Sequence, residues 1–323
     1  MRALQVTETV GPAGVRVSEV DPPAVPDGGV LIEVRTCGLS FPDLLLSQGK
    51  YQLRPEPPFT LGVEAAGVVR EAAASSGFKA GDQVTVYMGV GACAELVAAT
   101  PENVLRLPPP LGFEEGAALT MNYHTCHFAL LRRAGLRAGE TLLVHGATGG
   151  VGTAAIQLAR AYGARVLAVV SSDRKAEVAR EMGADEVIMS GGDWAGDVRR
   201  HTEGRGVDVV FDPVGGSRFD ESLRLLAPEG RLLVIGFAEG SIPQVGVNRL
   251  LLRNVSVVGA GWGAFIARHP EHVEEVATDL ARLVAEGSVK PLVTAVYPLE
   301  EAVRGLEAIA ERRVIGKSVV RVS

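Results

Sequence analysis

Cysteine is scarce. Cys37, Cys93 and Cys126 stand far apart in a chain of 323 residues, with no C-x-x-C pair among them. An odd, scattered set excludes a disulfide framework and fits free thiols in a reducing compartment. Lysine is also rare, supplying five of the 32 basic residues, and the arginine pairs at 132–133, 199–200 and 312–313 are too short to make polybasic tracts. The net charge is −6, and aromatic residues, only 5% of the chain, do not interleave with basic ones. Nucleic acid is therefore not expected as the main partner. No apolar run reaches the roughly 18 to 20 residues of a membrane-spanning helix. The opening MRALQVTETVGPAGVRV lacks a basic end followed by an apolar stretch, so no signal peptide is expected and the cytoplasm is the expected compartment.

What the chain does hold is 47% hydrophobic residues with 39 Gly and 18 Pro, which excludes disorder and allows two domains. Up to about residue 120, short β-type runs (RALQV, GVRVSEV, GVLIEVRTCG, GVEAAGVVREA, DQVTVYM, AELVAA) are broken by Gly and Pro. Such spacing predicts an antiparallel, barrel-like domain, with one short helix around PDLLLSQG that has Pro42 at its start. From about 140 the pattern alternates strand and helix: TLLVHG, ARVLAVV, DEVIM, VDVVFD, GRLLVIG and VSVVG are six apolar strands. They predict a parallel sheet covered on both faces. Two further helices (268–286 and 299–311) and a last strand, SVVRV, are expected to return to the first domain. The expected division is 1–121, 122–260 and 261–323, the middle part being an insertion.

The sharpest motif is TLLVHGATGGVG at 141–152, where a strand runs through Gly146 into Ala147, Thr148, Gly149, Gly150, Val151 and Gly152 and opens a helix. Small residues permit a tight turn and close approach of backbone to a pyrophosphate, whose charge meets the unpaired N–H groups of the helix start. This predicts a dinucleotide site. The end of the second strand, roughly 20 residues on, is where an acidic residue would hold the ribose of NAD. Ser171 stands there instead, followed by Ser172, Asp173, Arg174 and Lys175. Hydroxyls and cations at that point favour a 2′-phosphate and hence NADPH. Ser172 or Asp173 could equally cap the next helix, and Asp173 could still serve NAD.

GVEAAGVV at 62–69, the run MNYHTCHFALLRRAGLRAGETLLVHGATGGVG and the closing GKSVV resemble the zinc-independent quinone oxidoreductases. That group includes the zeta-crystallins and lies within the medium-chain dehydrogenase/reductase superfamily. The resemblance covers the chain from end to end. It implies an α/β protein with a Rossmann dinucleotide-binding domain inserted in a GroES-like, mainly antiparallel β catalytic domain. It also implies a homodimer paired through the last Rossmann strand, here 255–259. Zinc-dependent members carry ligands in a C-x-x-D stretch and a GHE motif. Here those stretches read Ser40-Phe41-Pro42-Asp43 and Gly62-Val63-Glu64, so no metal is expected.

Without a Lewis acid, ordinary ketones are poor hydride acceptors, whereas quinones and conjugated carbonyls spread the developing charge over themselves. The resemblance assigns Tyr51 and Ser40, the latter in place of the family's Asn, to the substrate side, and Thr125 to a position beside the nicotinamide. Asp212-Pro213-Val214-Gly215 and Gly236-Phe237-Ala238 end the fourth and fifth strands, so both loops are expected to flank the ribose and nicotinamide. The resemblance places Ser190 near the adenosine phosphate and Lys317 reaching back to the cofactor. Asn122 and Tyr123 share the segment of Thr125. His124, His127 and His145 read as buried structural groups, and Cys126 as core. The expected activity is NADPH-dependent reduction of quinones or other conjugated carbonyl compounds. The alternatives are an enoyl-thioester or alkenal reductase and an NADPH-binding protein with little catalysis.

Overall fold

Short strands whose alternate residues point inward build the first 106 residues. They are β1 (Arg2–Val6), β2 (Val15–Glu19), β3 (Val30–Leu39), β4 (Phe59–Thr60), β5 (Glu64–Ala72), β6 (Gln83–Tyr87), β7 (Leu96–Ala99) and β8 (Val104–Arg106), with helix α1 (Phe41–Ser47) after β3. Helix α2 (Phe113–His127) follows. The computed structural model describes residues 1–322; Ser323, the end of the expected 261–323 segment, lies outside the described residues.

The middle of the chain alternates: β9 (Thr141–Val144), α3 (Gly150–Ala161), β10 (Arg165–Val170), α4 (Asp173–Glu181), β11 (Glu186–Met189) and α5 (Trp194–His201). Then come β12 (Val207–Asp212), α6 (Phe219–Arg224), β13 (Leu226–Val234), α7 (Val247–Arg253) and β14 (Ser256–Gly259). All six strands pair in parallel, in the order β11-β10-β9-β12-β13-β14. That is the Rossmann order, reversing direction beside β9. Crossovers between parallel strands are right-handed, so α3 and α4 cover one face and α5 and α6 the other. Leu143, Leu167, Val169, Val210, Phe219 and Leu223 are buried together under that second pair.

The chain closes with α8 (Trp262–Ile266), α9 (Glu271–Ala285), β15 (Val293–Pro298), α10 (Ala302–Ala310) and β16 (Lys317–Arg321). β3 explains how these last strands are used. One of its edges pairs with β5 along nearly its whole length; the other is shared between β7, at Val30–Glu33, and β16, at Thr36–Leu39. The seven-stranded sheet runs β15-β16-β3-β5-β6-β8 with β7 beside β3, and β2-β1-β4 form a separate three-stranded sheet. Only the β15–β16 pair is parallel among these. The core holds fully buried Leu4, Ile32, Val34, Leu61, Val86 and Val320.

Two compact units result, 1–121 with 290–323, and 122–289. The return to the first unit thus comes at 290 and not at the expected 261. The reason lies in α8 and α9, whose apolar residues belong to the second unit. Phe265 packs on Phe128 at 4.8 Å between ring centroids, and Asp279 accepts from Tyr162 and pairs with His127. Among the described residues no helix is long and apolar enough to cross a membrane.

Candidate active site

In the second unit, β9 is buried along its length and delivers the chain into the glycine loop. Gly146 takes φ 56°, a left-handed conformation that favours glycine. Its carbonyl accepts from Gly149 N at 3.0 Å, and Gly149 stands at the N-terminus of α3. A Cβ on Gly152 would lie 2.2 Å from Gly146 O and 2.7 Å from the carbonyl carbon of Ala147. Helix and loop therefore meet backbone to backbone. Ala147 and Thr148 are buried, while Gly149, Gly150 and Val151 stay partly open, as a site for a pyrophosphate requires. Asn122 lies against Gly150, its amide nitrogen 2.7 Å from where a Cβ would be.

Two more loops close on Gly146. The Asp212 carboxylate accepts from Val214 N and Gly215 N, each at 2.9 Å, and fixes the turn after β12. Burial pushes the Asp212 carboxyl above the usual carboxylate range. Pro213 O accepts from Ala238 N and Val214 O from Glu239 N, so residues 236–239 are tied to that turn. Val214 would touch a Cβ on Gly146 at 3.3 Å, which places both loops at the carboxyl ends of the central strands. Gly236, Phe237 and Ala238 are half-buried there.

At the end of β10, Ser171, Ser172 and Arg174 are exposed and Lys175 is half-buried. The Ser172 hydroxyl accepts from Lys175 N at 3.4 Å, so Ser172 is the cap of α4, one of the two roles its sequence position allowed. Ser190 follows β11, and its N–H donates to Val170 O at 2.7 Å, beside Ser171. Of the histidines singled out in the sequence, His124 and His145 are buried and His127 is half-buried. Burial pulls His124 and His145 down to about 3, and His127 is held by Asp279. Tyr123 does not line an opening: it is buried and donates to Gln157 at 2.8 Å. Cys126 is buried, while Thr125 is half-buried on α2.

In the first unit, β3 ends at Ser40, which starts α1. Asp43, one turn on, accepts from Ser40 N at 2.8 Å and from Gly62 N at 3.1 Å, bracing the helix against the short segment that precedes β5. Burial pushes the Asp43 carboxyl up to about 7, against the opposing pull of these donors and of Lys317. Lys317, expected to reach the cofactor, has its ammonium on Glu64 Oε1 and Ser40 Oγ. Glu64 and Lys317 are both buried, and Glu64 Oε2 accepts from Met121 N at 2.8 Å. Gly38 makes room for the pair, since a Cβ there would sit 2.9 Å from both Glu64 Cγ and Lys317 Cε. Tyr51 is half-buried against the core, and its hydroxyl has no hydrogen-bond partner among the described residues. Burial, then the Asp43 charge, raises its pKa, so it stays protonated at neutral pH.

Two family models match the chain. Residues 26–127 match the alcohol dehydrogenase GroES-like domain, and residues 150–282 match the family described as zinc-binding dehydrogenase. Quinone oxidoreductase-like protein 2 of Bos taurus is 37% identical over 93% of this chain and 87% of its own length. The chain belongs to the quinone oxidoreductases of the medium-chain dehydrogenase/reductase superfamily. A solved structure from Mycobacterium abscessus, described as a "probable oxidoreductase", is 45% identical, with a TM-score of 0.93 and coverage of 100% of this chain and 99% of that one. A mycobacterial protein solved in complex with NADPH is 31% identical over the whole of both chains, also with a TM-score of 0.93.

For this quinone oxidoreductase, reasoning from sequence missed two participants, and it named the loop of a third, Asp212, without the carboxylate's role. The Glu64 side chain is the partner of Lys317, Asp212 shapes the turn at Val214, and Arg218 lies beside Ser190. The signal for Asp212 was local, an aspartate at a strand end followed by Pro-Val-Gly-Gly. The other two depend on contacts between residues distant in the chain.

Proposed function

We propose that the chain is an NADPH-dependent reductase of quinones or other conjugated carbonyl compounds, acting by direct hydride transfer without zinc. The observation that carries this reading is the Lys317 ammonium on Ser40 and Glu64. Ser40 and Val63 stand at positions where zinc-dependent relatives place ligands; one is a hydroxyl already engaged by a cation, the other an alkyl group. A dication would face that ammonium without a thiolate or imidazole to hold it. The acceptor must then stabilise its own developing negative charge, as a quinone or an alkene conjugated to a carbonyl does.

The residues fit a dinucleotide, because Gly152 lets the start of α3 meet the loop backbone to backbone while Gly149, Gly150 and Val151 stay partly open at the helix N-terminus. Bound NADPH would supply the hydride. Ala147, Thr148, Gly149, Gly150 and Val151 are assigned to the pyrophosphate. Ser171, Ser172, Arg174, Lys175 and Ser190 are assigned to the adenosine phosphate, and Val214, Gly236, Phe237 and Ala238 to the ribose and nicotinamide. Tyr51 offers a protonated hydroxyl to the acceptor's carbonyl oxygen. Ser40 adds a hydroxyl polarised by Lys317, and Thr125 lines the substrate side. We assign Lys317 to Ser40 and Glu64 in place of the cofactor, since its ammonium is committed there.

A second copy of the chain is the proposed partner, paired through β14, and three buried free thiols fit a cytoplasmic location. The activity test is NADPH consumption with benzoquinone, phenanthrenequinone and crotonyl-CoA in parallel, repeated with NADH and with a chelator. The expected result is chelator-insensitive reduction of the quinones, with NADPH preferred. Turnover of crotonyl-CoA alone would make the chain an enoyl-thioester reductase, and chelator-sensitive loss would overturn the zinc-free mechanism. NADPH binding without turnover of any acceptor would leave a binding protein.

A further inference from the structure

Arg218 ends the short turn Gly216–Arg218 that leads into α6, and it is half-buried. Its backbone is anchored: Ser222 Oγ donates to Arg218 O at 2.8 Å, and the same hydroxyl lies 2.7 Å from His145 Nε2, at the entry to the glycine loop. Its guanidinium, in contrast, is almost uncommitted. One Nη2 hydrogen bond reaches Ser190 O at 3.4 Å, and no carboxylate pairs with it among the described residues. A guanidinium has five N–H donors, so this contact uses only a small part of its capacity.

The sheet order shows what this position commands. Arg218 follows β12, yet its guanidinium reaches the residue after β11, and β9 and β10 lie between those strands. Ser190 N is itself bonded to Val170 O, the residue before Ser171. The guanidinium therefore stands next to the strand end where the ribose 2′ substituent of a dinucleotide binds. Its charge is felt at two of these ends. It opposes protonation of the buried His145, after burial itself, and it draws the Asp212 carboxyl downward against the larger effect of burial. Lys175 belongs to α4, on one face of the sheet, and Arg218 precedes α6, on the other.

We propose that Arg218 is a cofactor-specificity residue that pairs with the 2′-phosphate of NADPH from the α6 face of the sheet, complementing Lys175 from the α4 face. The inference rests on the NADPH reading above and deepens it. A planar guanidinium grips a phosphate through two parallel N–H bonds and adds little to a ribose that lacks one.

The test is calorimetric titration of the whole protein with 2′,5′-ADP and with 5′-AMP, which lacks the 2′-phosphate. Arg218→Ala should weaken 2′,5′-ADP by about tenfold or more, the loss of one bidentate charge-assisted pair, and leave 5′-AMP within about twofold. Arg218→Lys should recover part of the loss, because it restores the charge without the fork. Retained 5′-AMP affinity in either variant serves as the control for folding. Equal weakening of both ligands, or no change in either, would overturn the assignment. Equal affinities in the unaltered protein would overturn the NADPH reading and the assignment with it, so the two failures are distinguishable.

Discussion

Lys317 and Glu64 form an ion pair with both side chains at or below 4% exposure. Such a pair gains little net stability, because desolvation offsets the attraction, but breaking it leaves a buried charge unpaired. Lys317→Met should therefore cost about 3–5 kcal/mol in urea unfolding. Adding Glu64→Gln should recover most of that loss, since the amide oxygen can still accept from Met121 N and no bare charge remains. Strictly additive losses in the two single variants and the double variant would show that the residues are not coupled. The pair is illegible in the sequence. Glu64 and Lys317 are separated by most of the chain, and neither neighbourhood announces a buried partner. The glycine loop was legible because it belongs to a local pattern, whereas the contact of Arg218 with Ser190 depends on the order of the strands.

At the scale of elements, β14 ends the parallel sheet with one edge unpaired among the described residues. Before it, α7 exposes Val247 at 76%, Leu251 at 76% and Leu252 at 78%. An open strand edge beside an apolar helix face is a template for association. Sedimentation should give a dimer for the unaltered chain and a monomer for Leu251→Glu/Leu252→Glu; a monomer for both would remove β14 from the proposed interface. The six parallel strands and the helices α3 and α4 could be read in advance from apolar runs, glycine stops and caps. β15 could not, because Val293–Pro298 alternates half-buried with exposed residues and ends in proline. The boundary near 261 was misplaced for a similar reason. α8 and α9 look like any amphipathic pair until Phe265 and Asp279 meet Phe128 and Tyr162.

At the scale of the whole molecule, residues 122–289 contain every strand of the parallel sheet and helices for both faces. Expressed alone, this fragment should unfold cooperatively and quench its fluorescence on NADPH addition; an uncooperative transition would show that it needs the rest of the chain. The first unit is different in kind, because β16 completes an edge of β3 from nearly the opposite end of the sequence. That separation has a consequence for the chain on the ribosome, where domains usually fold from the N-terminus onward. β3 emerges early and must wait, half its edge open, until the whole inserted unit and then β16 have been translated. The inserted unit can be finished first. If each unit closes once its last strand is made, the unit begun first is the one finished last, with β3 as its waiting edge.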